Sequence, residues 1–169
     1  MLRLLVSGVV LSCLALAGPV AAQAEDAPEA FEKGLAAYNR GDLPGALPLF
    51  RQAAEGGSAE AQAWLGYILD FAEENDEAVR WYRASAEQGL AEGMAGLADM
   101  YAKGEGVEKD VAEARSLYER AAEAGSDRAA RVLAGAYETG GLGVEADAAR
   151  AAYWKSREAE LSGDDNPRE

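Results

Sequence analysis

Apolar residues recur every three or four positions along the chain, in blocks that end at glycine or in short polar runs. After Lys109, residues Ala114, Leu117, Tyr118 and Ala121 fall at i, i+3, i+4 and i+7, one face of a helix with 3.6 residues per turn. Leu97 and Tyr101, four apart, share a face in the preceding block. The pattern predicts eight helices, over about 28–39, 43–55, 59–71, 76–87, 91–102, 110–123, 127–138 and 146–161.

End signals agree with those bounds. Asp110 followed three residues later by Glu113 forms a capping-box pattern. Ser58 and Ser126 can cap the helices they precede, and Asp42, Asn75 or Asp76, and Asp147 open others. Gly57, Gly89 and Gly125 stand where a helix must end in a left-handed turn. Pro44 fits a first turn. Pro48 lacks the N–H that an interior position needs, so the second helix is expected to start late or to kink.

The blocks are copies of one another. "LPLFRQAAEGGSAEAQAWLG", "AVRWYRASAEQGLAEGMAGLA" and "ARSLYERAAEAGSDRAARVLA" align on Gly57, Gly89 and Gly125, then on Leu65, Leu97 and Leu133, then on the small residues Gly66, Ala98 and Ala134. A more degenerate fourth copy runs through Tyr137, Gly143-Val144, Asp147 and Tyr153-Trp154. Small residues let helices approach closely and bulky ones fill the space beside them. A single helix pair cannot bury its apolar face, whereas several stacked pairs can. The expectation is one all-α solenoid of about four antiparallel helix pairs over 25–162, with units near 27–57, 58–89, 90–125 and 126–162 and a polar tail at 163–169.

The amino terminus adds a different signal. Arg3, an apolar run from Leu4 to Ala17 and "GPVAAQAED" give the order of a secretory leader: charge, short hydrophobic core, small-residue exit. The run is too short to span a bilayer comfortably. Cleavage fits after Ala22 or after Ala24, the second being favoured, which makes 1–24 the signal peptide. A periplasmic or secreted product with no membrane span after cleavage is expected. A lipoprotein signal at Cys13 fits poorly, because Leu11 is a poor match and the apolar run continues past the cysteine.

Composition narrows the chemistry. Cys13 is the only cysteine and there is no histidine. The exported chain would thus hold no disulfide or thiol and would lack the commonest general base and transition-metal ligand. The formal net charge of −14 disfavours nucleic acid and favours cationic partners.

The series Leu97-Ala98, Tyr101, Gly104, Gly106-Val107, Asp110, Ala114, Leu117-Tyr118, Ala121-Ala122 and Gly125 resembles the Sel-one-like repeat, a relative of the tetratricopeptide repeat. The fourth unit keeps Tyr137, Gly140, Gly143-Val144 and Asp147; the second replaces the glycine-valine loop with "FAEENDE", and the first looks more like a tetratricopeptide unit. The resemblance spans Ala30 to about Ser162. It implies a right-handed α-solenoid acting as a scaffold for proteins or peptides, without a shared chemistry.

Catalytic patterns are wanting. Gly104-Glu105-Gly106 has an acid between its glycines and no Gly-Lys-Ser/Thr after it, and a related "GGLGVEAD" recurs in the next unit, so it reads as punctuation rather than as a phosphate loop. No Gly-x-Ser-x-Gly or Ser-x-x-Lys occurs. The carboxylate pairs Glu73-Glu74 and Asp76-Glu77 suit a helix N-terminus, and Asp164-Asp165-Asn166 lacks the rest of a calcium loop. No enzyme activity, cofactor or metal is expected.

Function therefore falls to the surface. By the resemblance, positions two before and two, five and six after each Leu anchor face a concave groove. These are Ala63, Tyr67, Asp70 and Phe71; Ala95, Asp99, Ala102 and Lys103; then Arg131, Gly135, Glu138 and Thr139, with Arg128 at the rim. Tyr67 and Phe71 would form an aromatic shelf, with Asp70 and Asp99 as acceptors for a basic peptide, while Trp64, Trp81 and Trp154 read as core. The leading expectation is an exported, non-catalytic adaptor for a protein or peptide. A cell-envelope or polysaccharide-assembly scaffold is the alternative, and a cell-wall hydrolase is a third reading that the missing cysteines disfavour.

Overall fold

The computed structural model describes residues 19–163, and the side chains from residue 26 onward. Most of the expected leader, the polar tail beyond Gly163 and Cys13 lie outside the described residues. Eight helices follow in order: α1 (Pro19–Asn39), α2 (Leu43–Glu55), α3 (Ala59–Phe71), α4 (Asn75–Glu87), α5 (Ala91–Lys103), α6 (Val111–Glu123), α7 (Asp127–Thr139) and α8 (Ala148–Ser162). Each odd-numbered helix packs against the even-numbered one after it, each pair stacks on the next, and α3 also meets α5 directly. This is an all-α repeat solenoid.

Side-chain caps fix most of the helix starts. Asp42 accepts from the Gly45 N–H (3.0 Å), Ser58 from Ala61 (3.1 Å) and Ser126 from Ala129 (3.2 Å). Asp110 accepts from Ala112 and Glu113, and Asp147 from Ala149 and Arg150. The capping box at Asp110 does not close, because the Asp110 N–H donates instead to the Tyr101 carbonyl (3.0 Å). Asp147 does the same to Tyr137 (2.8 Å), so these aspartates both start a helix and tie it to the preceding one.

Three expectations change. The helix at the amino terminus begins at Pro19 rather than near 28, in keeping with the alanines of "PVAAQAEDA", and runs through Pro28. The second helix does not start late at Pro48. It begins at Leu43 with Pro44 in the first turn, and both prolines are exposed, so water can reach the carbonyl that Pro48 leaves without a donor. The cap of α4 is Glu74, which makes no side-chain bond, while Asn75 is already helical.

Small residues and rings pair across each unit as the repeat pattern requires. Gly34 lies against the Phe50 ring, and Gly66 against Tyr82, so closely that a Cβ at either would need the ring to move. Ala98 and Tyr118, and Ala134 and Trp154, hold the corresponding positions of the third and fourth units and are buried in the same core. Leu65, Leu97 and Leu133 are buried at the centres of their helices. In the α5–α6 loop Gly104 (φ 82°) and Gly106 (φ 66°) adopt left-handed backbone, as does Gly125 (φ 109°) after α6. A Cβ on Gly106 would run into the backbone of Asn75, which shows that this loop rests directly on the start of α4.

Candidate functional site

A cavity of about 680 Å³ lies on the side of the stack made by α1, α3, α5 and α7. Phe31 and Tyr38 supply one wall, Trp64, Tyr67 and Asp70 the next, and Gly96 and Asp99 the middle; Asp127 and Arg128 close the far side. Tyr82, rooted in α4, forms part of the floor.

Its aromatic wall is built by packing. Trp64 stacks on the buried Phe50 with ring planes 6° apart and centroids 5.7 Å apart. Tyr38 meets Trp64 edge-on at 4.9 Å, and Tyr67 stands almost perpendicular to it at 6.2 Å. Such offset and edge contacts hold rings in fixed orientation. Tyr67 nevertheless keeps 50% of its surface exposed, so it offers a ring to a visitor.

The next unit opens the space. Gly96 occupies the place in α5 that Trp64 holds in α3, one residue before the Leu anchor, and the Tyr82 ring fills the volume its missing Cβ leaves. Tyr82 is sandwiched between Gly66 and Gly96.

Charge is distributed unevenly. Asp99 accepts hydrogen bonds from the Tyr118 hydroxyl and, at 2.5 Å, from Arg128 Nη1. Burial pulls Arg128 down, but the Asp99 carboxylate outweighs it and leaves the guanidinium above its ordinary range. Burial and the Asp99 contact both push the Tyr118 phenol up. Asp70 makes no side-chain hydrogen bond or ion pair among the described residues. Burial raises its carboxyl above the usual aspartate range; Lys103 pulls it down, Glu105 and Asp99 push it up, and Arg128 pulls it down.

Not all of the residues expected in the groove meet there. Tyr67, Asp70 and Asp99 line the cavity together with Ala63 and Arg128. Phe71 does not; it sits at the end of α3 with 82% of its surface exposed, and Tyr67 makes its aromatic contact with Trp64 instead. Lys103 lies beyond the lining and pairs with Glu105 at 3.1 Å. Arg131 points along the surface of α7 to Asp127 (3.0 Å) and Glu158 (2.6 Å). Ala95 is fully buried. The face that does line the cavity carries Glu60, Trp64 and Tyr67 on α3 and Glu92, Gly96 and Asp99 on α5, spaced i, i+4, i+7. Trp64 thus belongs both to the packing and to the groove, whereas Trp154 is buried and Trp81 is half-buried with its indole N–H on Glu77 (3.1 Å).

Among the described residues no group of three or more His, Cys, Asp or Glu side chains is arranged to hold a metal ion, and no helix is long and apolar enough to cross a membrane.

The Sel1 repeat model matches residues 20–58, 59–90, 91–126 and 128–156. The chain belongs to the Sel1 repeat family. Sel1 repeats are in general a non-catalytic protein-interaction fold. Among solved structures, the Sel1 repeat protein from Oxalobacter formigenes is 33% identical with a TM-score of 0.74, over 83% of this chain and 59% of that one. A protective antigen of uropathogenic Escherichia coli strains displaying an SLR fold is 34% identical with a TM-score of 0.70, over 83% of this chain and 32% of its own. Among curated proteins, the DAP3-binding cell death enhancer 1 of Rattus norvegicus is 35% identical over 86 residues, half of this Sel1 repeat chain and 17% of the relative's length. The mouse protein of the same name matches to the same extent.

Proposed function

We propose that this Sel1 repeat protein is an exported adaptor that holds an extended or helical segment of a partner protein in the groove between α1, α3, α5 and α7, without catalysing a reaction. One observation carries the reading: the concave side holds a cavity of about 680 Å³ whose wall presents the half-exposed Tyr67 ring beside Asp70, which pairs with no described residue. An aromatic anchor point flanked by a free acceptor is what a protein-binding groove uses to fix a guest. The family's role as an interaction scaffold supports it, and so does the name of the mammalian relatives, which describes binding to another protein. The net charge of −14 and the acids around the cavity favour a partner with a basic segment over nucleic acid. Export rests on the order of charge, apolar run and small residues in 1–24. It predicts a periplasmic or secreted protein beginning at Glu25, and an intact Met1 on the protein recovered from the envelope fraction would refute it.

Affinity capture tests the groove. The chain immobilised on beads is expected to retain partner peptides from a displayed random library, and Tyr67→Ala to lower retention about tenfold, as loss of an aromatic anchor does. Phe71→Ala, which removes a still more exposed ring outside the cavity, is expected to leave retention unchanged. Equal retention by wild type and Tyr67→Ala would remove the groove assignment.

A further inference from the structure

We propose that the part of the groove between Tyr67, Asp70 and Tyr82 is a pocket for the guanidinium of an arginine carried by the bound segment; this rests on the groove being the binding surface. Two independent observations converge on it. The first is Tyr82. Only 5% of its surface is exposed, yet its side chain reaches the cavity floor and its hydroxyl makes no hydrogen bond to any described residue. The oxygen is therefore not sealed in the core: it stays open to the cavity, where its lone pairs can accept from a guest's donor.

The second is the balance of charge. Five acids line the cavity against the single base Arg128. Most are already engaged: Asp99 by Tyr118 and Arg128, Asp127 by Arg131, and Glu60 by the Ser58 hydroxyl. Glu92 stands exposed in water. Asp70 is the partly buried carboxylate without a partner among the described residues, and the charged groups that act on it from α5, its following loop and α7 are Lys103, Glu105, Asp99 and Arg128. Lys103 is tied to Glu105, and Arg128 to Asp99. The local site is therefore short of one cation.

The rings select which cation. Trp64 and Tyr67 stand at 89° to each other and both line the cavity, Tyr67 with half of its surface exposed. A guanidinium is flat, weakly hydrated and stacks on aromatic faces while its edge donates several N–H groups in a fan. Lying on these rings, it can donate to the Asp70 carboxylate and to the lone pair of the Tyr82 oxygen together. A lysine ammonium is more strongly hydrated and has no face to stack, and an anionic guest meets Asp70 and Glu92 unscreened.

Peptides selected from the random library on the full chain supply the test. The selected sequences are expected to share an arginine, and replacing it by citrulline, which keeps the shape and removes the charge, is expected to weaken binding about tenfold. Asp70→Asn and Tyr82→Phe should each do the same, and lysine in place of the arginine should bind more weakly than arginine. Glu87→Gln, which removes the same charge as Asp70→Asn from the exposed side of α4, should change binding little. Tyr82→Phe is expected to keep the wild-type melting temperature, since the oxygen it removes bonds to no described residue. Peptides that depend on Tyr67 but carry no arginine, or that tolerate citrulline, lysine or Tyr82→Phe without loss, would overturn the pocket while leaving the groove standing. Absence of any Tyr67-dependent peptide would overturn both.

Discussion

Asp70 lines the cavity at a cost to the fold. Its carboxylate is partly withdrawn from water with no hydrogen-bond partner among the described residues, and its pKa is accordingly raised. An acid whose folded pKa lies above its unfolded value binds protons more tightly when folded. Its ionised form therefore lowers stability above the folded pKa, and the penalty fades as pH falls toward the ordinary aspartate value of 3.8. Asp70→Asn is expected to raise the melting temperature at pH 7 by about 1–3 °C. The gain should vanish in scans near pH 3.5. The variant would then be the more stable protein and the weaker binder, and an unchanged or lower melting temperature at pH 7 would show that Lys103 already compensates the carboxylate.

At the level of helices and loops, the α5–α6 connection is a tight joint. Gly106 has positive φ and no room for a Cβ against the Asn75 backbone, so Gly106→Ala meets strain and a clash together. It is expected to cost about 2–3 kcal/mol in urea unfolding, whereas Gly57→Ala, left-handed but with open space around it, should cost only about 1 kcal/mol. These elements were largely legible in the sequence. The 3.6-residue period and the Ser and Asp caps locate α2 to α8 to within two residues, because both signals are local. The groove was less legible. A shift of one residue turns a helix by 100°, enough to move Phe71 out of the cavity and to bring Trp64 into it. The size exchange of Trp64 for Gly96 one residue before the Leu anchor was the available clue, but its meaning depends on Tyr82 in another helix. Likewise, nothing in the spacing of Asp99 and Arg128 reveals that they satisfy each other.

Across the whole stack, neighbouring units are joined by contacts that differ at every junction. Gln62 donates to the Ala54 carbonyl (3.1 Å) and Arg51 to Glu77 (2.5 Å) between the first two units. Tyr82 bridges Gly66 and Gly96 between the second and third. Arg128 reaches Asp99, and Arg115 Nη1 donates to the Leu142 carbonyl (2.9 Å), between the third and fourth. Most of these partners lie in adjacent units, so stability should spread along the array as nearest-neighbour coupling. The ring pairing has a further consequence. Phe50 is received by Trp64 and Tyr82 by Gly96, a large ring on a flat indole in one case and in the space above a bare backbone in the other. Excising residues 58–89 would keep the repeat period but set Phe50 over Gly96, with a void where the indole had been and no tyrosine hydroxyl in the floor. Although the units look interchangeable in sequence, each carries an address that only its own neighbour can read, and the order of the array is itself encoded information.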